Sequence, residues 1–311
     1  MKKPLTLSFQ VITDTHVTVD REHDYNKHFE QALLDIASQA PASRAIMHVG
    51  DLTDHGFEEE YDEFRRIWSS CEDKLPPLYI TTGNHDVGVI DASSPEKVEA
   101  LQRLWDEYKS KLPSLAAIPD LHNIEQENWD NRSSRFLSRT GNKTLYHDHW
   151  LEGYHFIFLS TEAGLERDCT LSQAQLEWLQ QRLADNAAAD KPIFVFLHQP
   201  LKNTVAGSME HQGWHGVTED EQLRAILQQF PQVVMFTGHT HWELGSPYTY
   251  NEAKPAMFNA ASVAYLWTDE DEYKYGSQGY YVEVYDGKVL VRGRDFVNNS
   301  WIEEASFTLQ F

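Results

Sequence analysis

Cysteine is scarce in this sequence: 311 residues contain two, Cys71 and Cys169. They stand far apart with no metal-type spacing, which excludes a disulfide framework and a thiolate metal site and leaves two reduced thiols. Long apolar runs are also missing. None approaches the roughly 18 residues of a membrane-spanning helix, so a soluble, cytoplasmic protein with no membrane partner is expected. The opening residues, MKKPLTLSFQVITD, place two lysines before alternating apolar and polar residues, and an acid arrives before a signal-like stretch is complete. They read as a first strand. Positive charge is in deficit, with 26 Lys and Arg against 48 Asp and Glu and a formal charge of −22. That balance repels phosphate backbones and anionic lipid, so nucleic acid is not an expected partner. No internal repeat or low-complexity segment stands out.

What is present is a repeated form: a short apolar run that stops at a cluster of Asp, His, Asn and Gly. LSFQVIT precedes Asp14, AIMHV precedes Gly50 and Asp51, PLYITT precedes Gly83, IFVFL precedes His198, and VVMFT precedes Gly238. Helical patterns fall between them, carried by Phe29, Leu33 and Ile36, by Tyr61, Phe64 and Trp68, and by Leu176, Leu179 and Leu183 after a capping box at Ser172–Gln175. Strands alternating with helices predict an α/β fold with largely parallel sheet, whose strand ends are the usual place for ligands. One domain over 1–311 is expected, with an insertion at 88–150 and a β-rich segment at 259–311. The insertion reads as a helix from Ser94 through Leu101, Leu104 and Tyr108, then a polar, irregular stretch, NIEQENWDNRSSRF. The C-terminal segment reads as a hairpin about Asp286-Gly287 followed by a last strand.

Collected in order, the polar clusters are Asp14-Thr-His16, Gly50-Asp51-Leu-Thr-Asp54, Gly83-Asn84-His85-Asp86, His198 and Gly238-His239-Thr-His241. Hard oxygens mixed with imidazoles, and no thiolate, suit manganese, iron or zinc. Seven such ligands are more than one ion needs, whereas two ions about 3.5 to 4 Å apart that share a carboxylate would use them all. The set of motifs, D-x-H, G-D-x-x-D, G-N-H-D, a lone H and G-H-x-H, resembles that of the calcineurin-like metallophosphoesterases, with every element in order from Asp14 to His241.

The resemblance implies a four-layer α-β-β-α sandwich and two divalent or mixed-valence transition-metal ions. It implies Asp14, His16 and His241 on one ion, Asn84, His198 and His239 on the other, and Asp51 bridging. His85 is similar to the family's general acid and Asp54 to the carboxylate that orients it; Asp86 is expected to be structural or to accept from a ligand histidine. The implied activity is hydrolysis of a small-molecule phosphate ester. The G-D-L-T-D and GHTH segments look most like the branch containing cyclic-nucleotide and glycerophosphodiester phosphodiesterases. A monoester phosphatase or nucleotidase uses the same ligands, and a non-catalytic scaffold or a nuclease stands behind these.

Plainer roles compete at several positions. Polar strand ends use Asp, Asn and Gly for turns, Asp54 is also a helix cap, and His85 is also a structural histidine. His211 and His215 are substrate contacts or solvated loop residues, while His48, His147, His149 and His155 read as structural. Tyr265, Trp267, Tyr273 and Tyr275 either stack a planar group or pack. Arg132 and Arg135 are candidates to hold a phosphate substituent, and a homo-oligomer is possible.

Overall fold

Alternation along the first strand decides where the layers lie. In β1 (Leu5–Ile12) successive side chains point to opposite faces, so Leu7, Phe9 and Val11 enter one apolar layer while Ile12 enters another. The computed structural model describes residues 4–88 and 128–311, together with Glu99 and Arg103. After β1 come α1 (Asp24–Gln39), β2 (Ala45–His48), α2 (Glu58–Ser69), β3 (Leu78–Ile80), α3 (Asn84–Val87) and α4 (Trp129–Thr140). Then follow β4 (His147–Leu151), β5 (Tyr154–Phe158), α5 (Gln173–Ala184), β6 (Ile193–Phe196), α6 (Asp220–Leu227) and β7 (Val233–Thr237). The chain ends through β8 (Tyr250–Asn251), β9 (Ala256–Asn259), β10 (Leu266–Trp267), β11 (Tyr273–Lys274), β12 (Gln278–Tyr285), β13 (Lys288–Asp295) and β14 (Ser300–Gln310).

Two six-stranded sheets result, in the orders β14-β13-β12-β1-β2-β3 and β4-β5-β6-β7-β9-β8. The first is parallel at β1-β2-β3 and the second at β5-β6-β7-β9, with antiparallel strands completing each. Phe9, Phe156, Phe194, Phe196, Phe236 and Phe258 fill the layer between them. Phe9 meets Phe156 and Phe194 edge-on at 5.1 and 4.9 Å, the offset geometry aromatic rings prefer. The alternate residues of the second sheet, Ile157, Val195 and Met235, face outward onto Leu176, Leu179 and Leu183 of α5 and Leu223 and Leu227 of α6. On the first sheet, Phe29, Leu33 and Ile36 of α1, Tyr61, Phe64 and Ile67 of α2 and Phe136 of α4 form the matching layer. The expected four-layer sandwich is therefore the fold. Among the described residues no helix is long and apolar enough to cross a membrane.

Two local readings change. The stretch expected to be irregular contains α4, opened by the Asn128 side chain accepting from the Asn131 N–H and closed by Gly141 at φ 77°. Its buried face is Arg132, Ser133 and Phe136, too polar for hydrophobic periodicity to reveal. The proposed capping box is half present: the Ser172 hydroxyl accepts from the Gln175 N–H, but the Ser172 N–H donates to Glu162. The Gln175 side chain instead bridges the Ser160 backbone and the Glu162 carboxylate. The helix read from Ser94 to Tyr108 lies outside the described residues. At the other end the hairpin turns at Asp286-Gly287 as expected, pairing Tyr285 with Lys288, and β12 lies antiparallel to β1.

Candidate metal centre

Both sheets deliver polar residues to one edge, each just beyond the carboxyl end of a strand. Asp14 and His16 follow β1, Asp51 follows β2, Asn84 and His85 follow β3, His198 follows β6, and His239 and His241 follow β7. Five of these occupy left-handed backbone: Asp14 (φ 53°), His16 (41°), Asp51 (51°), His239 (70°) and His241 (59°). Such a conformation costs about 1 kcal/mol or more at a non-glycine residue, so surrounding contacts must hold it. They are present. The Asp14 N–H donates to the Gly50 carbonyl at 3.0 Å and the His16 N–H to the Asp51 carbonyl at 3.1 Å. The Asp14 carboxylate accepts the His239 N–H at 3.0 Å, tying one sheet to the other. Close packing also dictates Gly83, where any Cβ would run into the Asp51 carboxylate.

The seven expected ligand side chains converge in two groups. Asp14 Oδ1 lies 2.9 Å from His241 Nε2 and 3.7 Å from His16 Nε2, and the two imidazole nitrogens are 3.1 Å apart. On the other side Asn84 Oδ1 lies 2.9 Å from His239 Nδ1. Asp51 Oδ2 stands between the groups, 3.7 Å from His16 Nε2 and 3.0 Å from His198 Nε2. All seven residues are buried.

The proton inventory fits a cation. His198 Nδ1 donates to the Val49 carbonyl at 2.7 Å, since a carbonyl only accepts, so neutral His198 offers a lone pair at Nε2. That lone pair faces the Asp51 carboxylate at 3.0 Å, and two acceptors at this separation repel unless a proton or metal ion joins them. Burial would lower the His198 pKa, but Asp51 and Asp14 overcome it and raise the value to about 9. Burial is likewise outweighed at His16, whose pKa is raised well above the usual value by Asp14 and Asp54. Protein alone thus draws protons into positions a divalent ion would take. Asn84 is fixed for the same duty: its Nδ2 donates to the Glu166 carbonyl at 3.0 Å, turning Oδ1 inward.

Supporting contacts differ from those expected. His85 Nδ1 lies 2.6 Å from the backbone carbonyl of Asp54, and the Asp54 carboxylate instead reaches His16 Nδ1 at 3.2 Å. The carboxylate expected to orient His85 is therefore replaced by the main chain of the same residue. Asp86 takes the structural alternative: it accepts the N–H groups of Leu52, Thr53 and Gly83 and the Thr53 hydroxyl, clamping the Asp51 turn, and bonds to no histidine among the described residues. Arg132 is buried and donates to the carbonyls of His55 and His85 at 2.5 and 3.0 Å, while Arg135 donates to the Gly56 carbonyl. Arg132 thereby supports the His85 backbone from beneath, and Arg135 supports the neighbouring turn at Gly56.

The rim holds residues that the motifs do not mark. Tyr265 lies 4.4 Å from His241 and is stacked with Tyr25 at 5.2 Å and Tyr273 at 5.8 Å, so it packs within an aromatic wall. Tyr275 instead meets His28. Across the site, Trp214 lies edge-on to His239 at 5.9 Å and carries the Arg167 guanidinium 5.3 Å above its ring. Tyr25 lies in the first turn of α1 and Arg167 and Trp214 in loops of ordinary composition, with no sequence signal to find them. His211 is exposed and His215 half-buried, and neither side chain makes a hydrogen bond among the described residues. His147 shares a hydrogen bond with His149 at 3.0 Å beside β3, whereas His48, inside β2, meets the Thr15 hydroxyl at 3.0 Å, between Asp14 and His16, and so buttresses the ligand loop.

Comparison with known proteins gives a consistent picture. The model of one family, described as calcineurin-like phosphoesterase, matches residues 7–243. A protein of Arcobacter nitrofigilis described as probable glycerophosphodiester phosphodiesterase GpdQ is 25% identical over 239 residues, spanning 74% of this chain and 70% of that one. Among solved structures, purple acid phosphatase PPD1 from yellow lupin seeds superposes with a TM-score of 0.63 at 12% identity. The match covers 99% of this chain and 54% of the lupin protein, so this chain spans about half that protein's length; at such identity the likeness is one of fold.

Proposed function

The chain belongs to the calcineurin-like phosphoesterase family and is a metal-dependent phosphoesterase; from that premise we propose that it hydrolyses small-molecule phosphodiesters at a pair of transition-metal ions. Asp14, His16 and His241 would hold one ion and Asn84, His198 and His239 the other, with Asp51 between them. The observation that carries this reading is the position of Asp51 Oδ2, within 3.7 Å of His16 Nε2 and 3.0 Å of His198 Nε2. A bound metal pair supplies a nucleophile at neutral pH and charge stabilisation for phosphoryl oxygens.

The chain's own groups do the rest. His85 is the exposed histidine of the cluster, its ring 4.5 Å from that of His16 and its Nδ1–H committed to the Asp54 carbonyl. Only Nε2 is left to carry a proton, which imidazolium delivers to the departing alkoxide. The Asp54 carboxylate keeps His16 in the tautomer whose Nε2 faces inward. Preference for a diester is supported by the Arcobacter relative, whose description names a glycerophosphodiester phosphodiesterase. The net charge of −22 supports a small ester in place of nucleic acid.

The test is hydrolysis of bis(p-nitrophenyl) phosphate and p-nitrophenyl phosphate by metal-stripped protein reloaded with manganese, iron or zinc. Metal-dependent cleavage favouring the diester is expected. Preference for the monoester would overturn the diester assignment, and inactivity with every metal would overturn the hydrolytic one.

A further inference from the structure

Among the described residues Arg167 is a cation without an anionic partner, in a strongly acidic chain. Its side chain is exposed, it makes no ion pair with any described residue, and its flanking acids, Glu166 and Asp168, do not pair with it. Its position is nevertheless built. The Glu166 carbonyl accepts from Asn84 Nδ2 at 3.0 Å, and the Arg167 carbonyl accepts from Gln199 Nε2 at 3.2 Å. Gln199 Nε2 also reaches Asn84 Oδ1 at 3.4 Å, so the backbone beneath the arginine is tethered to a residue of the candidate metal centre.

Trp214 supplies the platform. Its backbone N–H donates to the Gly207 carbonyl at 3.0 Å, and its ring is edge-on to His239 at 5.9 Å. A guanidinium lying over an indole keeps its N–H donors free in its own plane, arranged as a fork that matches the two oxygens of a carboxylate or phosphate. Trp214 is the common neighbour of the guanidinium, at 5.3 Å, and of His239, at 5.9 Å, so the fork is placed to address a group some bonds away from the reacting phosphorus.

Resting on the phosphodiesterase reading above, we propose that Arg167, held on Trp214, is a specificity-determining residue that binds a second anionic group of the substrate. The preferred class is then a phosphodiester one of whose alcohols bears a carboxylate or further phosphate. Loss of a charge-assisted hydrogen-bond pair should cost about 10- to 100-fold for such a substrate.

A matched pair of diesters isolates that group: glycerophosphoserine and glycerophosphoethanolamine differ by one carboxylate. In wild-type enzyme reloaded with manganese, kcat/KM should favour the serine diester. In R167Q the serine-to-ethanolamine ratio should fall about 10- to 100-fold, and R167K should recover part of it. A ratio unchanged within about twofold, or no wild-type preference, overturns the proposal. If wild type hydrolyses neither diester, the phosphodiesterase reading fails separately. Calorimetric binding of phosphoserine and phosphoethanolamine to the metal-loaded proteins then decides: R167Q must selectively weaken phosphoserine, and parallel affinities in both proteins overturn the role of Arg167.

Discussion

Replacing His85 with Asn removes the proton carrier while leaving its backbone in place. The His85 N–H donates to Asp51 Oδ1 at 2.8 Å and its carbonyl is held by Arg132, contacts that survive a side-chain change. Among the described residues the ring's one hydrogen bond is to the Asp54 carbonyl, which Asn can partly replace. The metal donors are untouched, so metal content should match wild type. General acid catalysis is worth about 100- to 10,000-fold when the leaving group needs a proton. An alkyl diester such as glycerophosphoethanolamine should lose that much in kcat. For bis(p-nitrophenyl) phosphate, whose nitrophenolate leaves without a proton at neutral pH, the loss should stay below about tenfold. Steady-state kinetics on both, with metal analysis of the same samples, measures the difference. Equal losses for the two esters would mean that His85 acts on binding or on charge and would refute its assignment as the acid.

Other residues carry independent expectations. Asp35 accepts from Arg294 Nη2 at 2.6 Å and from the Tyr281 hydroxyl at 2.7 Å, all buried, so Asp35→Ala should cost about 3 to 5 kcal/mol by urea unfolding; a cost below about 1 kcal/mol would contradict it. Burial lowers the His48 pKa to about 3. The unfolded chain therefore takes up a proton below about pH 6.5 that the folded chain refuses, and stability, complete above that pH, falls as pH drops toward 3 by about 1.4 kcal/mol per unit. Measured on metal-free protein at pH 7, 6 and 5, His48→Asn should show a shallower slope, and identical slopes would exclude His48 as a cause. Arg132→Met strips donors from the carbonyls of His55 and His85, so kcat should fall about 10- to 100-fold with KM little changed, and a change confined to KM would argue against a positioning role.

The sandwich and the convergence of its polar loops were legible because both are repeated signals. Phe194 and Phe196 alternate with Ile193 and Val195, each pair buried on its own face, and a strand buried on both faces reads as an unbroken apolar run. Asp14, Asp51, Asn84, His198 and His239 stand at the ends of five such runs, and parallel strands carry their ends to one edge. Helix α4 escaped because its buried side chains include Arg132 and Ser133, whose partners are carbonyls of distant loops. Asp54 and Asp86 were marked as polar residues near the site, yet which atoms they engage depends on left-handed turns at Asp14, His16 and Asp51 that composition does not announce. Arg167 and Trp214 meet through tertiary packing between loops about 45 positions apart, beyond the reach of any local pattern.

The most direct test of the account is the metal count and magnetic coupling of stripped protein reloaded with manganese, compared with Asp51→Asn. Two ions per chain with a spin-coupled electron paramagnetic resonance spectrum, appearing together with diester hydrolysis and lost in the Asp51 variant, is the expected result. One ion per chain at full activity, or an uncoupled spectrum that Asp51→Asn leaves unchanged, would contradict a site built around a shared carboxylate.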